Sequence, residues 1–435
     1  MTQDAQGQHL SGTSTKAAGF IDEAVRAFTL NYGDPNTFLS MAEEDSPECR
    51  IAELIRVWPL TLSNDPDLLA SARERVAKID KGGMNEREIA HLEALRLASK
   101  SRWKSAVAIL DRHLMHYPLD LVAHQSAMRL DNFQGRFHRA AGRSVRALPS
   151  WSKSQPGYGI ILSFYGFGLE EAGDYAHSEE ITHTAAELEP YGYWPQHTLS
   201  HVLEMTGRPE EGLVWMESRE PFWSAPDNNN RVHIWWHKSL FHLELGQFDA
   251  ALSLYENEIA DTLRPIGTSL CNPTALLWRL EMLGCEAGAR WEPLYALWQD
   301  RANGRTSPFN DIHLGMTALR AEERDAYKTL LDTTRGTAAG DSENAPAYRA
   351  IVVPVLEAIA HFTDGEYAEA VERLLPIRPD LWRMGGSVAQ RDIVEWTLTE
   401  AAARAGLSDV VRSLANERLA LRPNSKVNKA FFEAA

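Results

Sequence analysis

Cysteine is scarce: Cys49, Cys271 and Cys285 are the three in 435 residues, too scattered for a CxxC metal knuckle or a disulfide framework. A reducing compartment is the simplest expectation. Basic charge is in deficit too, with 44 Lys and Arg against 60 Asp and Glu, a formal net charge of −16. Nucleic-acid affinity rests on clustered cations that neutralise phosphates, so the balance argues for no nucleic-acid partner and no anionic membrane surface. No apolar run approaches the ~18–20 residues of a membrane span. Residues 1–16 are polar, lack the apolar core of a secretory leader, and read as a disordered tail. Together these absences point to a cytoplasmic protein. Strand-period alternation is missing, as are a GxSxG elbow, a Rossmann fingerprint, a Walker loop, a kinase set and a His-Glu-x-x-His pair.

What is present is helical punctuation. A glycine is followed two residues later by an aromatic or proline at Gly135-Arg136-Phe137, Gly173-Asp174-Tyr175, Gly207-Arg208-Pro209, Gly246-Gln247-Phe248 and Gly365-Glu366-Tyr367. Counting from 135 to 173, 207 and 246 gives steps of 38, 34 and 39 residues, and 119 residues separate 246 from 365, close to three more units. A period in the high thirties on a helical chain means stacked helix pairs. The predicted architecture is all-α, a right-handed α-solenoid of about nine helix pairs. Residues 17–85 form an irregular helical N-terminal cap and 86–435 the repeat array. The glycine-rich stretch 336–347 is the best candidate for a mobile loop. The terminal cap serves equally well as a dimer face, so a homodimer is open.

The unit from Gly159 to Pro190 resembles the tetratricopeptide consensus, with Gly166 at the small position of the first helix, Gly173 and Tyr175 in the turn, Ala185 in the second helix and Pro190 closing it. A narrower likeness lies in the strings HTLSHVLEM (197–205), VHIWWHKSL (232–240), FNDIH (309–313) and GGSVAQRD (385–392). These resemble the tetratricopeptide repeat protein 38 family from about residue 90 onward. The resemblance implies a solenoid of tetratricopeptide-like units and implies little about activity.

The repeat register nominates a site. In a tetratricopeptide unit the second, fifth, ninth and twelfth residues of the first helix line the concave surface. Counted from Gly207 these are Trp194, His197, His201 and Glu204, flanked by Tyr193; counted from Gly246 they include His233 and Trp236, with His237 and Trp235 beside them. Residues four apart lie one above the other on a helix, so His197 stacks on His201 and His233 on His237. His124 is one residue off this register, where packing is the simpler role, and it ends the list of groove candidates. Asp311 and His313 are two apart at a helix start and cannot share its face. An N-cap is the simplest role for Asn310 or Asp311, although a solenoid that curls back could bring Asp311 or His313 to the site. Gly385-Gly386-Ser387 before Gln390 and Arg391 reads as a helix N-terminus able to clamp a carboxylate or phosphate.

Three functions compete for these residues. A binding groove for a peptide or small polar-aromatic ligand needs no chemistry and stands first, without a cofactor. An enzyme of hydrolase or lyase type would draw a general acid/base pair from His197, His201, His233 and His237, with Arg391 as anion clamp. His-x3-His would also serve as a pair of zinc ligands if a third donor joined it. That reading ranks lowest here.

Overall fold

The computed structural model describes residues 2–435. The five motif glycines sit in left-handed backbone, with φ from +65° to +83°. That conformation costs an L side chain energy and costs glycine none. It lets the chain close each helix on its own carbonyls: Gly173 N–H bonds the Glu170 carbonyl at 2.8 Å and Asp174 N–H reaches back to Leu169 at 3.0 Å. The same closure recurs at Ser101, Gly284, Glu322 and Gly406, at φ of 56°, 84°, 62° and 72°. There the back-bonds run from Arg102 to Leu97, Cys285 to Leu280, Glu323 to Ala318 and Leu407 to Ala402. The long gap between Gly246 and Gly365 is therefore spanned by turns at 284 and 322. Asn31, at φ 53° with Tyr32 N–H back to the Ala27 carbonyl at 3.1 Å, closes one further helix in the same way near the N-terminus.

The chain divides into two compact units. The first comprises 2–132, 136–199 and 219–231. It opens with α1 (Thr15–Leu30), α2 (Pro35–Asp45), α3 (Arg50–Thr61) and α4 (Pro66–Lys78), which starts at Pro66 with Asp65 as its N-cap. The pairs α5 (Glu86–Ala98) and α6 (Trp103–His116), α7 (Leu121–Asn132) and α8 (Arg139–Ala147), and α9 (Tyr158–Glu170) and α10 (Tyr175–Leu188) follow. Glycine sets the closeness of the last of these. A Cβ on Gly166 would stand 2.2 Å from Thr182 Oγ1 on α10, and one on Gly168 would stand 2.1 Å from the Ala141 backbone nitrogen on α8. The tetratricopeptide spacing is thus built by side chains that are missing.

Residues 2–14 do not fray as their composition suggests. Asp4 is buried against Arg87, with 2.6 Å between Oδ2 and NH1. Ala5 N–H donates to Asp22 Oδ1 at 2.8 Å, Ser11 N–H to Glu88 Oε1 at 3.0 Å, and the Ser14 hydroxyl caps α1. The segment is ordered by partners up to 150 residues away, Gln6 Nε2–H donating to the Pro156 carbonyl at 3.1 Å, which local polarity cannot reveal.

Helices α11 (Tyr193–Met205) and α12 (Pro209–Trp223) contribute residues to both units. The second unit comprises 133–135, 200–218 and 232–435. Its helices are α13 (Arg231–Glu244), α14 (Phe248–Leu254), α15 (Gly267–Met282), α16 (Trp291–Trp298), α17 (Pro308–Arg320), α18 (Arg324–Ala339), the single turn α19 (Ala345–Ala347), α20 (Val353–Thr363), α21 (Tyr367–Leu374), α22 (Val388–Arg404), α23 (Ser408–Leu421) and α24 (Lys426–Ala434). The stretch expected to be a loop, 336–347, is partly helical: α18 continues to Ala339, α19 takes 345–347 and 340–344 lie between them, while Thr337 Oγ1 donates to the Gly304 carbonyl at 2.7 Å and Ala338 is buried.

First helices of successive pairs lie side by side, α7 on α9 in the first unit, and α15 on α17 and α17 on α20 in the second. That is the packing of an α-solenoid of tetratricopeptide-like pairs. In the second unit the array also returns on itself. α22 packs against α15, Trp278 Nε1–H donating to Thr397 Oγ1 at 3.0 Å. This closure gives the unit a polar interior shared by α11, α13, α15, α17 and α22.

Candidate functional site

Amphipathic spacing on α13 aims His233 and His237 at one side, and the following helix pair supplies their first partner. Asn272 on α15 donates its amide Nδ2 to the Ser269 carbonyl at 3.0 Å, which turns its Oδ1 toward His233 Nδ1 at 2.6 Å. An amide oxygen only accepts, so His233 carries its proton on Nδ1 and presents a bare Nε2. His237 Nε2 faces that atom at 3.3 Å, and His237 Nδ1 meets Glu204 Oε2 of α11 at 3.0 Å. The order is fixed along the chain Glu204, His237, His233, Asn272. In the absence of another ligand, His237 donates through Nε2, and one proton lies between its Nδ1 and Glu204.

Burial governs which partner holds that proton. Desolvation pushes the Glu204 carboxyl up from its ordinary value, with Arg422 and His201 pulling it partly back. Desolvation, helped by His201 and Arg279, holds His237 well below an ordinary imidazole. Both directions favour the uncharged pair, a carboxylic acid donating to a neutral ring. His201 stands one turn before Glu204 on α11, and its ring centroid is 4.5 Å from that of His237. One ring nitrogen from each of His201, His233 and His237 lies within 4.8 Å of the others. His201 and His237 are fully buried, and only His233 of the three is partly exposed.

Trp236 lies over the pair, stacked on His233 at 5.1 Å and edge-on to His237 at 4.7 Å. Arg279 of α15, which the sequence did not single out, enters from the other side. Its guanidinium carbon is 5.6 Å from the Trp236 ring and 5.7 Å from the Trp396 ring of α22. It is 1% exposed and burial lowers its pKa to about 10. Its own bonds are to the Ala275 and Ala389 carbonyls, at 3.2 and 3.4 Å. The nearby carboxylates are engaged elsewhere: Asp392 takes Arg418 at 2.6 and 3.0 Å and Arg422 at 3.1 Å, and Glu204 takes His237.

The other sequence candidates have surroundings of their own. His197 lies in the first unit, stacked on Tyr193 at 4.7 Å and packed against Phe167 and Trp194. Trp194 Nε1–H donates to Gln125 Oε1 at 3.0 Å, and burial raises the Tyr193 hydroxyl far above its usual pKa. Trp235 is buried under Lys238, whose ammonium is 5.0 Å from its ring. His124 is buried with Nε2–H on the Pro118 carbonyl at 3.0 Å, and desolvation drops its pKa to about 4. Gln390 and Arg391 do not form the expected anion clamp. Gln390 completes a capping box with Ser387, and Arg391 donates to the Gly386 carbonyl beside a cavity of about 290 Å³. The helix N-terminus is thereby closed by its own chain. Asp311 is not a cap either, since Ser307 caps α17. Its carboxyl accepts from the Asn303 and Gly304 amides and from the Tyr348 hydroxyl, and burial raises its pKa to about 6. His313 bonds the Phe309 carbonyl at 2.8 Å and is lowered to about 4 by burial, with the Arg279 charge adding to the shift.

A second cluster, His91, His113 and Asp120 in the first unit, superficially matches metal ligation. Trp58 Nε1–H donates to His91 Nδ1 at 3.0 Å, which leaves the His91 proton on Nε2, 3.0 Å from Asp120 Oδ2. His113 Nε2 and Arg87 Nε reach the same oxygen at 3.1 and 2.7 Å. These donors converge on one carboxylate oxygen, the arrangement of an ion network built around Asp120.

No protein-family model matches the chain. A solved structure titled "Human IFIT1 dimer with PPP-AAAA" is similar over 85% of this chain and 94% of that one, at 13% identity and a TM-score of 0.37. The chain is a tetratricopeptide-like helical repeat protein on the packing described above. That match also corrects one expectation. The charge balance was taken to exclude a nucleic-acid partner, yet a helical protein similar to this chain is titled with PPP-AAAA, and the exclusion is withdrawn. Among the described residues no helix is long and apolar enough to cross a membrane.

Proposed function

We propose that the second unit is an enzyme-type site for a small polar ligand, centred on His201, His233 and His237 holding a divalent transition metal of the zinc class. One observation carries the reading. The Nε2 atoms of His233 and His237 converge to 3.3 Å while their Nδ1 atoms are tied to Asn272 and Glu204. Two nitrogens at ~2.0–2.1 Å from a tetrahedral ion stand roughly 3.3–3.4 Å apart. A ligand histidine whose other nitrogen donates to a carboxylate or carbonyl is the usual outer arrangement of such centres. A three-histidine set leaves a position open, and an ion held there supplies Lewis-acid and water-activating chemistry near neutral pH. Glu204 and Asn272 orient the rings; Trp236 forms an apolar wall. Hydrolysis of an ester, amide or phosphoester is the reaction class this supports. Burial of His201 and His237 favours a small ligand over a peptide laid in an open groove.

The four strings that resemble the tetratricopeptide repeat protein 38 family belong to the same proposal. They contribute His201 and Glu204, His233 and His237, His313, and Asp392 to this one interior.

Elemental analysis of purified protein tests the metal. About one equivalent of ion per chain is expected in the wild type and none in His237→Asn. Binding converts the Glu204–His237 pair from two protons to one, so calorimetry in buffers of different ionisation enthalpy should give about one proton released per ion. Glu204→Gln should release close to none, because its neutral ring only moves a proton from Nε2 to Nδ1. Absence of saturable zinc binding refutes the metal. The 3.3 Å approach then stands as an N–H···N link in a proton relay. A relay of that kind requires His237→Gln to lose ~10²–10⁴ in turnover with the fold intact.

A further inference from the structure

The interior beside the histidines holds hydrogen-bond donors that have nothing to donate to. Arg279 forms no ion pair with a carboxylate among the described residues, and its two backbone bonds are long. Trp236 Nε1–H and Trp396 Nε1–H are buried and have no acceptor. These two indoles belong to the rings that flank the Arg279 guanidinium, at 5.6 and 5.7 Å. A buried cation without a carboxylate counter-charge in contact and two orphaned N–H groups are each costly, and native interiors keep such groups only for a reason. The surrounding ion pairs make this arrangement specific. Asp392, whose charge acts on Arg279, spends its oxygens on Arg418 at 2.6 and 3.0 Å and on Arg422 at 3.1 Å.

We infer that Arg279, Trp236 and Trp396 form an oxyanion subsite that receives a carboxylate or phosphate group of the ligand. The inference rests on the small-ligand reading of this interior and supplies its substrate class: a small molecule with an anionic, oxygen-rich end. The planar guanidinium offers paired N–H donors, and the two indole N–H groups supply further donors at its flanks. Trp236 joins the two halves of the site, because the ring that flanks Arg279 is the one stacked on His233. The anionic end anchored there sets the remainder of the ligand against the imidazoles. Arg391 plays no part, its guanidinium being turned to the Gly386 carbonyl.

The test uses the full-length protein with inorganic phosphate and with acetate as probes, and chloride as control, read by calorimetry and by the thermal midpoint. Phosphate or acetate, whichever is the better mimic, should raise the wild-type midpoint where chloride does not; the arm that responds names the group. Trp396→Phe keeps the ring and loses the N–H, and should weaken that anion about tenfold. Arg279→Met should weaken it by about a hundredfold or more, and its midpoint in anion-free buffer should lie above that of the wild type, since a buried unpaired charge has been removed. Arg279→Lys, retaining the charge without the planar fork, should fall between the two. Wild-type protein indifferent to both anions overturns the subsite. So does Arg279→Met that is less stable than wild type while still binding the anion. The metal reading fails separately. Arg279→Met should keep its equivalent of ion and His237→Asn should keep its anion response, so either property can be lost without the other.

Discussion

Replacing Asp120 by asparagine isolates the energetics of the first unit's ion network. The carboxylate is fully buried at the start of α7 and collects four donors. Ala123 N–H reaches Oδ1 at 3.0 Å, while Arg87 Nε, His91 Nε2 and His113 Nε2 reach Oδ2 at 2.7, 3.0 and 3.1 Å. Asparagine keeps an oxygen for the cap on α7 and turns an NH₂ toward three other donors. Arg87 retains Asp4 as a counter-charge, so the guanidinium is not left wholly unpaired. Breaking a buried pair from one side costs about 3–5 kcal/mol, and the donor-to-donor contacts place this case near the upper half of that range. For a unit of this size about 4 kcal/mol corresponds to a fall in midpoint of roughly 8–16 °C.

Arg87 and the two imidazoles hold the Asp120 carboxyl well below its ordinary pKa. The stabilisation is therefore complete above the unfolded value of about 4 and is lost only in stronger acid. The Asp120→Asn penalty should be nearly constant from pH 5 to 8, measured by circular dichroism during heating and by urea titration. A midpoint within 2 °C of wild type (about 1 kcal/mol or less) would refute the reasoning, because the network would then be no better than a surface cluster.

Two further outcomes follow from buried groups and from glycine. His124, lowered to about 4 by burial, contributes stability that is present above its unfolded pKa near 6.5 and is lost as pH falls toward 4. Between pH 7.5 and 5 the wild type should lose about 2 kcal/mol more than His124→Gln, whose amide can still donate to Pro118; equal losses in a urea series would contradict the burial argument. Gly168→Ala drives a methyl into the Ala141 backbone and should cost about 3 kcal/mol or more. Gly173→Ala meets no neighbouring atom within 4 Å and should cost only the ~1–2 kcal/mol of its left-handed backbone. Matched urea midpoints for the two glycine variants would mean that α8 and α9 are free to separate.

Counting hairpins from glycine recovers the repeat only where glycine occupies the turn. Ser101 and Glu322 adopt the same left-handed closure without a glycine, and Gly284 has no aromatic or proline two residues on, so neither turn between Gly246 and Gly365 showed the motif. The phase counted from Gly207 and Gly246 does bring Glu204, His233 and His237 into contact, since both helices keep regular register from those turns. His197, one turn before His201 on the same helix, stacks on Tyr193 and packs against Phe167 in the first unit. The open groove expected from the repeat is also absent at these residues, because α22 returns to α15 and encloses them. That return depends on contacts more than 100 residues apart, such as Trp278 with Thr397, and no local pattern encodes it.

The same return explains why Arg279 and Asn272 escaped notice and why Arg391 attracted it. A glycine-opened helix bearing arginine looks like an anion site in isolation, but its capping box consumes the free amides that such a site would need. Arg279 sits in an unremarkable apolar stretch of α15, and only its surroundings give it meaning. Arg418 in the last turn of α23 and Arg422, its C-cap, are four residues apart, and both reach Asp392. Without that pairing, Asp392 would be free to neutralise Arg279 across the interior, and the buried guanidinium would be an ordinary structural ion pair. These two arginines, far from the histidines in sequence, are what keep a positive charge available beside them. Selectivity for an anionic ligand therefore depends on a competition among three arginines for one carboxylate, decided by helix register on the outer side of the unit.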